Sequence, residues 1–409
     1  MPDSHRIDRF SSIPLGNLLT HVEAGRSPLA EGQPAAPGEW GVLKVSAIRS
    51  EGFDSNENKA ISDSSLIRPE FEVKPGDLII SRANTEELVG LSCIAREPRP
   101  MLMLSDKTLR LHINHNLALS EYVAIVLGAQ SIRSKVRLEA TGTSGSMKNL
   151  GQNQIRQLPI PHLSISQQRE LVEAVTSFDR EIEALNRRIS KVAIMESSLA
   201  NKAFAGPRDE FCYLGDVADV TAGVTLGSEA VGAASIELPY LRVANVLDGV
   251  IDTSDLKYVR ILRAQLPRYS LMPGDVLLTE GGDIDKLGRG AVWDGRVEPC
   301  LHQNHIFRVR CSSQLVPEYL SLYTASAEGR KYFLRVGKQS TNLASINSTQ
   351  VKAMPVPMPS VGEQQRLIGP ILAGREFRMV LEARIAKLRT IRKALIEDLL
   401  TGKVAIDDL

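Results

Sequence analysis

The sequence predicts an α+β protein in which two β-rich α/β units alternate with two long helices, one half of the chain repeating the other. Two observations support this fold class. Apolar residues recur in steps of four and three between Ser166 and Gly206, and less regularly near the C-terminus, as in a heptad seam. The segments before these stretches, 11–160 and 211–358, align at an offset that drifts only between 196 and 199 residues. Together they indicate an internal duplication with pseudo-twofold symmetry.

Length and composition fit more than one globular core. A chain of 409 residues is too long for one core, and 43% hydrophobic with 24% charged residues is ordinary for globular protein. The four cysteines form no CxxC pair, and no apolar run reaches the length of a membrane span or of a secretory signal. We therefore expect a cytoplasmic protein without a membrane partner. The net charge of +1 neither favours nor excludes nucleic acid.

The same elements are predicted in each unit. A Pro-Gly-Asp turn followed by a short apolar strand occurs at 75–81 and again at 273–279. Further strands are predicted at Leu43–Ile48 and Leu241–Val246, and half-buried alternating strands at Leu109–Ile113 and Ile306–Arg310. Helices are expected around Tyr122 and around Tyr319–Tyr323. Ile160 and Val356 each precede proline, so an extended strap should lead into each long helix.

The long helices are predicted to pair as an antiparallel coiled coil. The first, from Ser166 to about Phe204, would span about 58 Å, and its outward residues carry both charges. The alternative is that each helix packs on its own unit. The entries match as Ser166–Arg169 against Glu363–Arg366. Gly369-Pro370 should kink the second helix or postpone its start, because proline removes a backbone hydrogen bond.

Motifs for catalysis are absent from the sequence. It contains no phosphate-binding loop, no dinucleotide fingerprint, no HExxH and no GxSxG. The densest group of possible ligands is His302–His305, which leaves a metal-dependent nuclease as one alternative. The first unit has only Asp106-Lys107 opposite Asn304-His305, however, and a duplicated enzyme would not leave one unit without its groups. We therefore expect a binding protein with no catalytic residue and no metal.

The repeated order of unit, QQR-initiated heptad helix, unit and second such helix resembles the DNA-specificity subunit of type I restriction–modification systems. The Pro-Gly-Asp turn-strands, the straps and the Leu-rich helix ends with glycine (Leu199–Gly206 and Leu399–Gly402) carry the resemblance, which covers residues 11–404. It implies target-recognition domains at 1–160 and 207–358, with spacer helices at 161–206 and 359–409. Each domain would read one half of a bipartite double-stranded DNA site, and the helices would set the half-site spacing.

The resemblance also implies the partners. The subunit would dock methyltransferase (M) and restriction (R) subunits, and the internal repeat predicts two M subunits bound in equivalent ways. This chain would bind no cofactor; S-adenosylmethionine, ATP and Mg²⁺ are expected on the partner subunits. A coiled-coil protein–protein scaffold without DNA readout is the other alternative.

Two pairs of polar loops, which differ between the repeats, are the candidate DNA-contacting segments. Lysine and arginine can meet phosphates there, while Asn and Gln can read adenine. Matched residues Lys44 and Arg242 are predicted to lie in strands and to contact phosphates. The candidates in the first unit are Lys44, Arg82, Asn84, Thr85, Ser144, Ser146, Lys148 and Asn149. Those in the second are Arg242, Asp283, Lys286, Gln339, Ser340, Thr341 and Asn342.

Overall fold

A computed structural model describes residues 11–28, 32–144, 147–205, 210–225, 234–282, 287–339 and 344–404. The chain forms two compact units. Unit 1 comprises Met1–Leu185 and Ala383–Leu409, and unit 2 comprises Asn186–Glu382. Both long helices pass from one unit into the other. None of the helices in these ranges is long and apolar enough to cross a membrane.

In its described residues, unit 1 contains short strands, three short α-helices, the first part of one long helix and the last part of another. Its strands are β1 (Ser12–Pro14), β2 (Leu19–Ala24), β3 (Gly41–Leu43), β4 (Ile48–Arg49), β5 (Gly52–Phe53), β6 (Asn58–Ala60), β7 (Asp77–Ser81), β8 (Ala83–Asn84), β9 (Ser92–Ala95), β10 (Leu102–Met103), β11 (Thr108–Ile113), β12 (Thr141–Ser144), β13 (Met147–Asn149) and β14 (Pro159–Pro161). Its helices are α1 (Ser120–Gly128), α2 (Gln130–Glu139), α3 (Gln152–Gln157) and the first part of α4 (Ile165–Phe204).

Unit 2 repeats most of this order, with two additional short α-helices, and it also contains the last part of α4. Its strands are β15 (Phe211–Tyr213), β16 (Ala218–Ala222), β17 (Ser235–Leu241), β18 (Lys257–Leu262), β19 (Val276–Thr279), β20 (Gly281–Gly282), β21 (Gly290–Val292), β22 (Leu301–His302), β23 (Ile306–Cys311), β24 (Lys338–Gln339), β25 (Ala344–Ser345) and β26 (Pro355–Pro357). Its helices are α5 (Leu214–Val217), α6 (Leu266–Tyr269), α7 (Pro317–Ala325), α8 (Ala327–Val336), α9 (Ser348–Lys352) and the first part of α10 (Val361–Leu400).

The sheet topology confirms the duplication. The four-stranded sheet has the order β2-β11-β7-β9 in unit 1 and β16-β23-β19-β21 in unit 2. A three-stranded sheet pairs β3 with β10 in parallel and with β6 antiparallel, and β17 pairs in the same way with β22 and β18. The predicted straps are β14 and β26, which pair antiparallel with β1 and β15. The two units therefore share one strand topology.

The long helices pair antiparallel inside each unit, as predicted. In unit 1, Leu171 and Val175 near the start of α4 share a core with Ile396 and Leu399 near the end of α10. In unit 2 the roles are exchanged, and Ala203 and Phe204 of α4 share a core with Ile368 and Ile371 of α10. The ends of both helices also pack against the sheets and short helices of the unit in which they lie. The alternative, that each helix packs on a unit, is therefore correct for the helix ends.

Pro370 does not postpone the second helix, which begins at Val361 and runs unbroken to Leu400. This part of the prediction is wrong. Pro370 is exposed, and a Cβ on the neighbouring Gly369 would meet no heavy atom within 4 Å. The proline ring lies on the solvent side of the helix. Water can therefore bond to the carbonyl that loses its N–H partner, and the helix tolerates the missing hydrogen bond.

The first turns of the two long helices correspond to each other with a shift of one residue from the alignment predicted by the sequence. Gln168 accepts a hydrogen bond from the backbone N–H of Leu119, and Gln364 accepts one from Val316, both at 2.9 Å. Each amide also donates to two carbonyls, those of Leu117 and Leu163 in unit 1 and of Gln314 and Pro359 in unit 2. Gln168 therefore corresponds to Gln364, whereas the sequence motif aligns it with Gln365.

Two strand predictions need correction. Leu43–Ile48 and Leu241–Val246 are not continuous strands, because 3₁₀ turns at Val45–Ala47 and Val243–Asn245 interrupt them. The strands β11 and β23 are not half-buried either, since Arg110 and Arg308 are only 6% and 5% exposed. Arg110 forms ion pairs with Glu23 at 3.1 Å and Asp77 at 3.0 Å. Arg308 pairs with Asp219. The central polar position of each strand is thus a buried arginine with a carboxylate partner.

Candidate nucleic-acid interface

The two predicted loops of unit 1 meet in one small sheet. Strand β8 pairs antiparallel with β13, placing Asn84 opposite Lys148 and Ala83 opposite Asn149. Strand β12 covers the other side of β13, with Thr141 opposite Asn149. We call β8, β12 and β13 candidate sheet 1. The sequence separates these loops by more than fifty residues, and backbone pairing brings them together.

The described side chains of candidate sheet 1 range from buried to exposed: Ala83 is buried, Asn84, Lys148 and Asn149 are half-buried, and Thr141 and Met147 are exposed. Thr85 is exposed, and its N–H donates to the Asn84 side-chain oxygen at 2.9 Å. The Lys148 ammonium donates to the carbonyl of Gly142 at 3.3 Å. Among the described residues, the Lys148 ammonium forms no ion pair with a carboxylate. Ser144 belongs to β12 but its side chain is outside the described part, and Ser146 lies outside it entirely.

Unit 2 builds the same sheet from different residues. Strand β25 pairs antiparallel with β20, with Gly281 opposite Ser345, and with β24, where Gln339 is opposite Ala344. We call β20, β24 and β25 candidate sheet 2. Its predicted residue Gln339 lies in β24, although its side chain is outside the described part. The remaining candidates fall outside the described residues: Asp283, Lys286, Ser340, Thr341 and Asn342.

Backbone hydrogen bonds identify Arg82 and Glu280 as equivalent positions. Arg82 donates its N–H to the carbonyl of Lys107 and accepts from the N–H of Leu150. Glu280 does the same with His305 and Ile346. The position that enters each candidate sheet is therefore cationic in unit 1 and anionic in unit 2. A shared scaffold carries opposite charges at the same place.

Lys44 and Arg242 cap 3₁₀ turns and do not lie in strands. Each already has an acidic partner: Lys44 lies 3.8 Å from Glu57, and Arg242 lies 2.8 Å from Asp255. Hydrogen bonds from Lys257, and then from Arg242, hold the pKa of Asp255 below its usual range. A phosphate would have to compete with these carboxylates. The phosphate contact of Lys44 and Arg242 stays a prediction.

The histidine cluster of unit 2 does not converge on one point. His302 is fully buried, and its ring nitrogens face the carbonyls of Tyr269 at 3.3 Å and Thr221 at 3.5 Å. Burial lowers the pKa of His302 to about 4. His305 instead hydrogen-bonds Glu280. Among the described residues, no group of three His, Cys, Asp or Glu side chains could hold a metal ion.

The sequence interpretation missed two arginines of α2 that hold the loop after β8. Arg133 is 7% exposed and donates to the carbonyls of Val89 at 2.7 Å and Glu87 at 2.9 Å. Burial lowers the pKa of its guanidinium. Arg137 lies 3.2 Å from the Glu87 carboxylate. The available signal was the amphipathic spacing of α2, in which Arg133 shares the face of Ile132 and Val136.

Comparison with known proteins supports the predicted resemblance. No protein-family model matches the chain. The specificity subunit of the type I restriction enzyme EcoEI from Escherichia coli is 29% identical over 189 residues, which is 46% of this chain but only 32% of that relative's length. The EcoKI specificity subunit from Escherichia coli (strain K12) is 19% identical over 345 residues, covering 80% of this chain and 73% of that one.

A solved structure extends the similarity to the whole fold. The S subunit of a type I restriction–modification system from M. genitalium aligns with 97% of this chain and 98% of its own, with a TM-score of 0.55 and 13% identity. At that identity the alignment concerns the fold alone. It confirms the predicted fold class of two α+β units carried by two long paired helices.

Proposed function

We propose that this chain is the non-catalytic subunit of a type I restriction–modification complex that recognises a bipartite double-stranded DNA sequence. The observation that carries the proposal is the pair of candidate sheets. The same three-stranded element is built in each unit on the same scaffold, while its side chains differ, as Arg82 and Glu280 do. Two diverged copies of one reading element suit two different half-sites.

The long helices would connect the two readers and set the spacing between half-sites. Each helix has 40 residues, which corresponds to about 60 Å. The spacing of DNA half-sites has to follow the geometry of the protein that reads both. A continuous pair of helices resists bending better than an irregular linker, so it is suited to this role.

The helices of unit 2 would also provide a docking surface for partner subunits. Several of their large apolar side chains are exposed: Ile194, Met195, Phe377, Met379 and Val380. Contiguous exposed apolar patches, unlike single apolar side chains, mark protein interaction sites. We propose that two M subunits and the R subunits dock on the helices. The partners would carry S-adenosylmethionine, ATP and Mg²⁺, and the complex would act in the cytoplasm.

Lys148 provides the test of DNA contact. A complex of the full chain with its methyltransferase partner is titrated with duplex DNA at moderate salt, and Lys148→Ala is compared with Lys191→Ala, an exposed lysine of α4. Loss of one phosphate contact should weaken binding to all sequences alike and reduce the salt dependence by about one ion. Arg82→Ala tests base reading, since it should change sequence preference.

A scaffold without DNA readout predicts a different outcome. No binding of any duplex by the wild-type complex, from low to physiological salt, would contradict the proposed function and favour the scaffold. DNA cleavage by the isolated chain with divalent metal would favour the nuclease alternative.

A further inference from the structure

Helix α2 is held at its N-terminus by the long helix α10. The residue before it, Ala129, has no capping side chain. The carboxylate of Glu397 in α10 takes that role and accepts hydrogen bonds from the N–H groups of Gln130 and Ser131. A carboxylate at a helix N-terminus satisfies free N–H groups and complements the helix dipole. Glu397 therefore ties the position of α2 to α10.

The other end of α2 leads directly into candidate sheet 1. Only Ala140 separates Glu139, the last residue of α2, from Thr141, the first residue of β12. Ala140 is buried, and the Gln154 amide donates to the carbonyl of Glu139. A displacement of α2 would thus be passed to β12 by chain continuity.

Helix α2 also fixes the loop that follows β8. Arg133 holds the carbonyls of Glu87 and Val89. Gly90 has φ +70°, and a Cβ there would lie 2.5 Å from a methyl group of Val136. The loop returns to the strand before β8, because the Ser81 hydroxyl donates to the carbonyl of Leu88 at 3.0 Å. Both outer strands of candidate sheet 1, β8 and β12, are therefore positioned by one helix.

Unit 2 has the equivalent helix, α8, whose N-terminus is not capped by a long helix among the described residues. Helix α8 is capped by its own Ser326, which accepts from the N–H of Gly329 at 3.3 Å. Both long helices have 40 residues and begin 196 residues apart, so the position equivalent to Glu397 is Asn201, an exposed residue of α4. Phe333 of α8 packs on Gly288, as Val136 of α2 packs on Gly90. Arg330 stands where α2 has Arg133, but it donates to the carbonyl of Ala325 and to the carboxylate of Asp248. The two units thus differ in how their reading elements are supported.

We propose that Glu397 and Arg133 are positioning residues for candidate sheet 1, through which the state of α10 influences the reading of one half-site and not the other. This inference rests on the proposed function. Neither residue contacts DNA in the proposal; both act through α2. Binding of a partner that shifts the end of α10 would change the discrimination of unit 1 alone.

The test uses the full chain in complex with its methyltransferase partner and the bipartite site selected by the wild-type complex. Affinity is measured for that site and for duplexes with a single base change in either half-site. Glu397→Ala should reduce discrimination at one half-site by about tenfold, the order that loss of a helix cap permits. Discrimination at the other half-site should not change. Glu397→Gln keeps the acceptor oxygen and should restore most of it, and Asn201→Ala should match wild type.

Thermal unfolding of each variant separates positioning from loss of fold. A general loosening of unit 1 would lower affinity for every duplex, whereas misplacement of candidate sheet 1 changes the ratio between matched and mismatched duplexes. Unchanged ratios in Glu397→Ala, or equal losses at both half-sites, would overturn the inference while leaving the proposed function intact. Absence of sequence-specific binding by the wild-type complex would overturn both.

Discussion

The buried amide of Gln364 provides a quantitative test of how each long helix is anchored. Gln364 is 0% exposed, accepts from the N–H of Val316, and donates to the carbonyls of Gln314 and Pro359. Gln364→Leu keeps the volume but leaves these three backbone groups without a partner. An unpaired buried polar group costs about 1–3 kcal/mol, and the apolar burial of leucine offsets part of the sum. We expect a net loss of about 3 kcal/mol in the free energy of unfolding of unit 2.

Gln365→Leu is the matched control, because Gln365 is the neighbouring, exposed glutamine. Exposed substitutions of this kind change stability by about 0.5 kcal/mol or less. Calorimetry of the full chain is the suitable assay, since a protein with two units need not unfold in one step. The transition of unit 2 should fall by roughly 6–12 °C for Gln364→Leu and stay in place for Gln365→Leu. A larger fall in the unfolding temperature for Gln365→Leu than for Gln364→Leu would refute the assignment of Gln364 as the counterpart of Gln168.

Three further predictions follow from the structure. The pKa of His302 is lowered to about 4 in the folded protein, below its ordinary value of 6.5, because the buried ring resists protonation. The free energy of unfolding of unit 2 should therefore be highest above pH 6.5 and fall by up to about 3 kcal/mol as the pH falls towards 4. His302→Leu should remove this pH dependence in unfolding titrations, and an unchanged slope would contradict the assignment. Burial raises the pKa of the thiols of Cys93, Cys300 and Cys311 to about 12. Because the thiolate is the form that reacts, brief alkylation of the native protein should modify Cys212 first, as measured by mass spectrometry of peptides. Early modification of Cys93 would argue against its buried position. Insertion of one heptad in both long helices should lengthen the DNA spacer by about 3 base pairs with both half-sites unchanged; a constant spacer would rule out the helices as its determinant.

The repeated features of the chain were predictable from the sequence. The Pro-Gly-Asp turns, the straps and the heptad helices each occur twice, and each repetition constrains the interpretation of the other copy. Prediction failed where tertiary contacts override a local pattern. Arg110 reads as a solvent-facing residue of an alternating strand, yet carboxylates on the neighbouring strands β2 and β7 allow its burial. Pro370 reads as a helix breaker, yet its exposed position tolerates the lost hydrogen bond.

The candidate interface was predictable at the level of loops. The polar, diverged segments after the turn-strand and before the strap were identified from the sequence, but their pairing into one sheet depends on long-range backbone hydrogen bonds. No local signal links residue 84 to residue 148. The role of α2 was hidden for the same reason, because Glu397 lies 267 residues from the N–H of Gln130 that it accepts.

Selection of bound sequences from random duplex DNA tests the central claim most directly. The full chain is assembled with its methyltransferase partner, and the duplexes retained at physiological salt are sequenced. The account predicts enrichment of two short, different half-sites separated by a spacer of fixed length and unspecified sequence. Enrichment of one uninterrupted motif, or of none, would contradict a duplicated DNA reader.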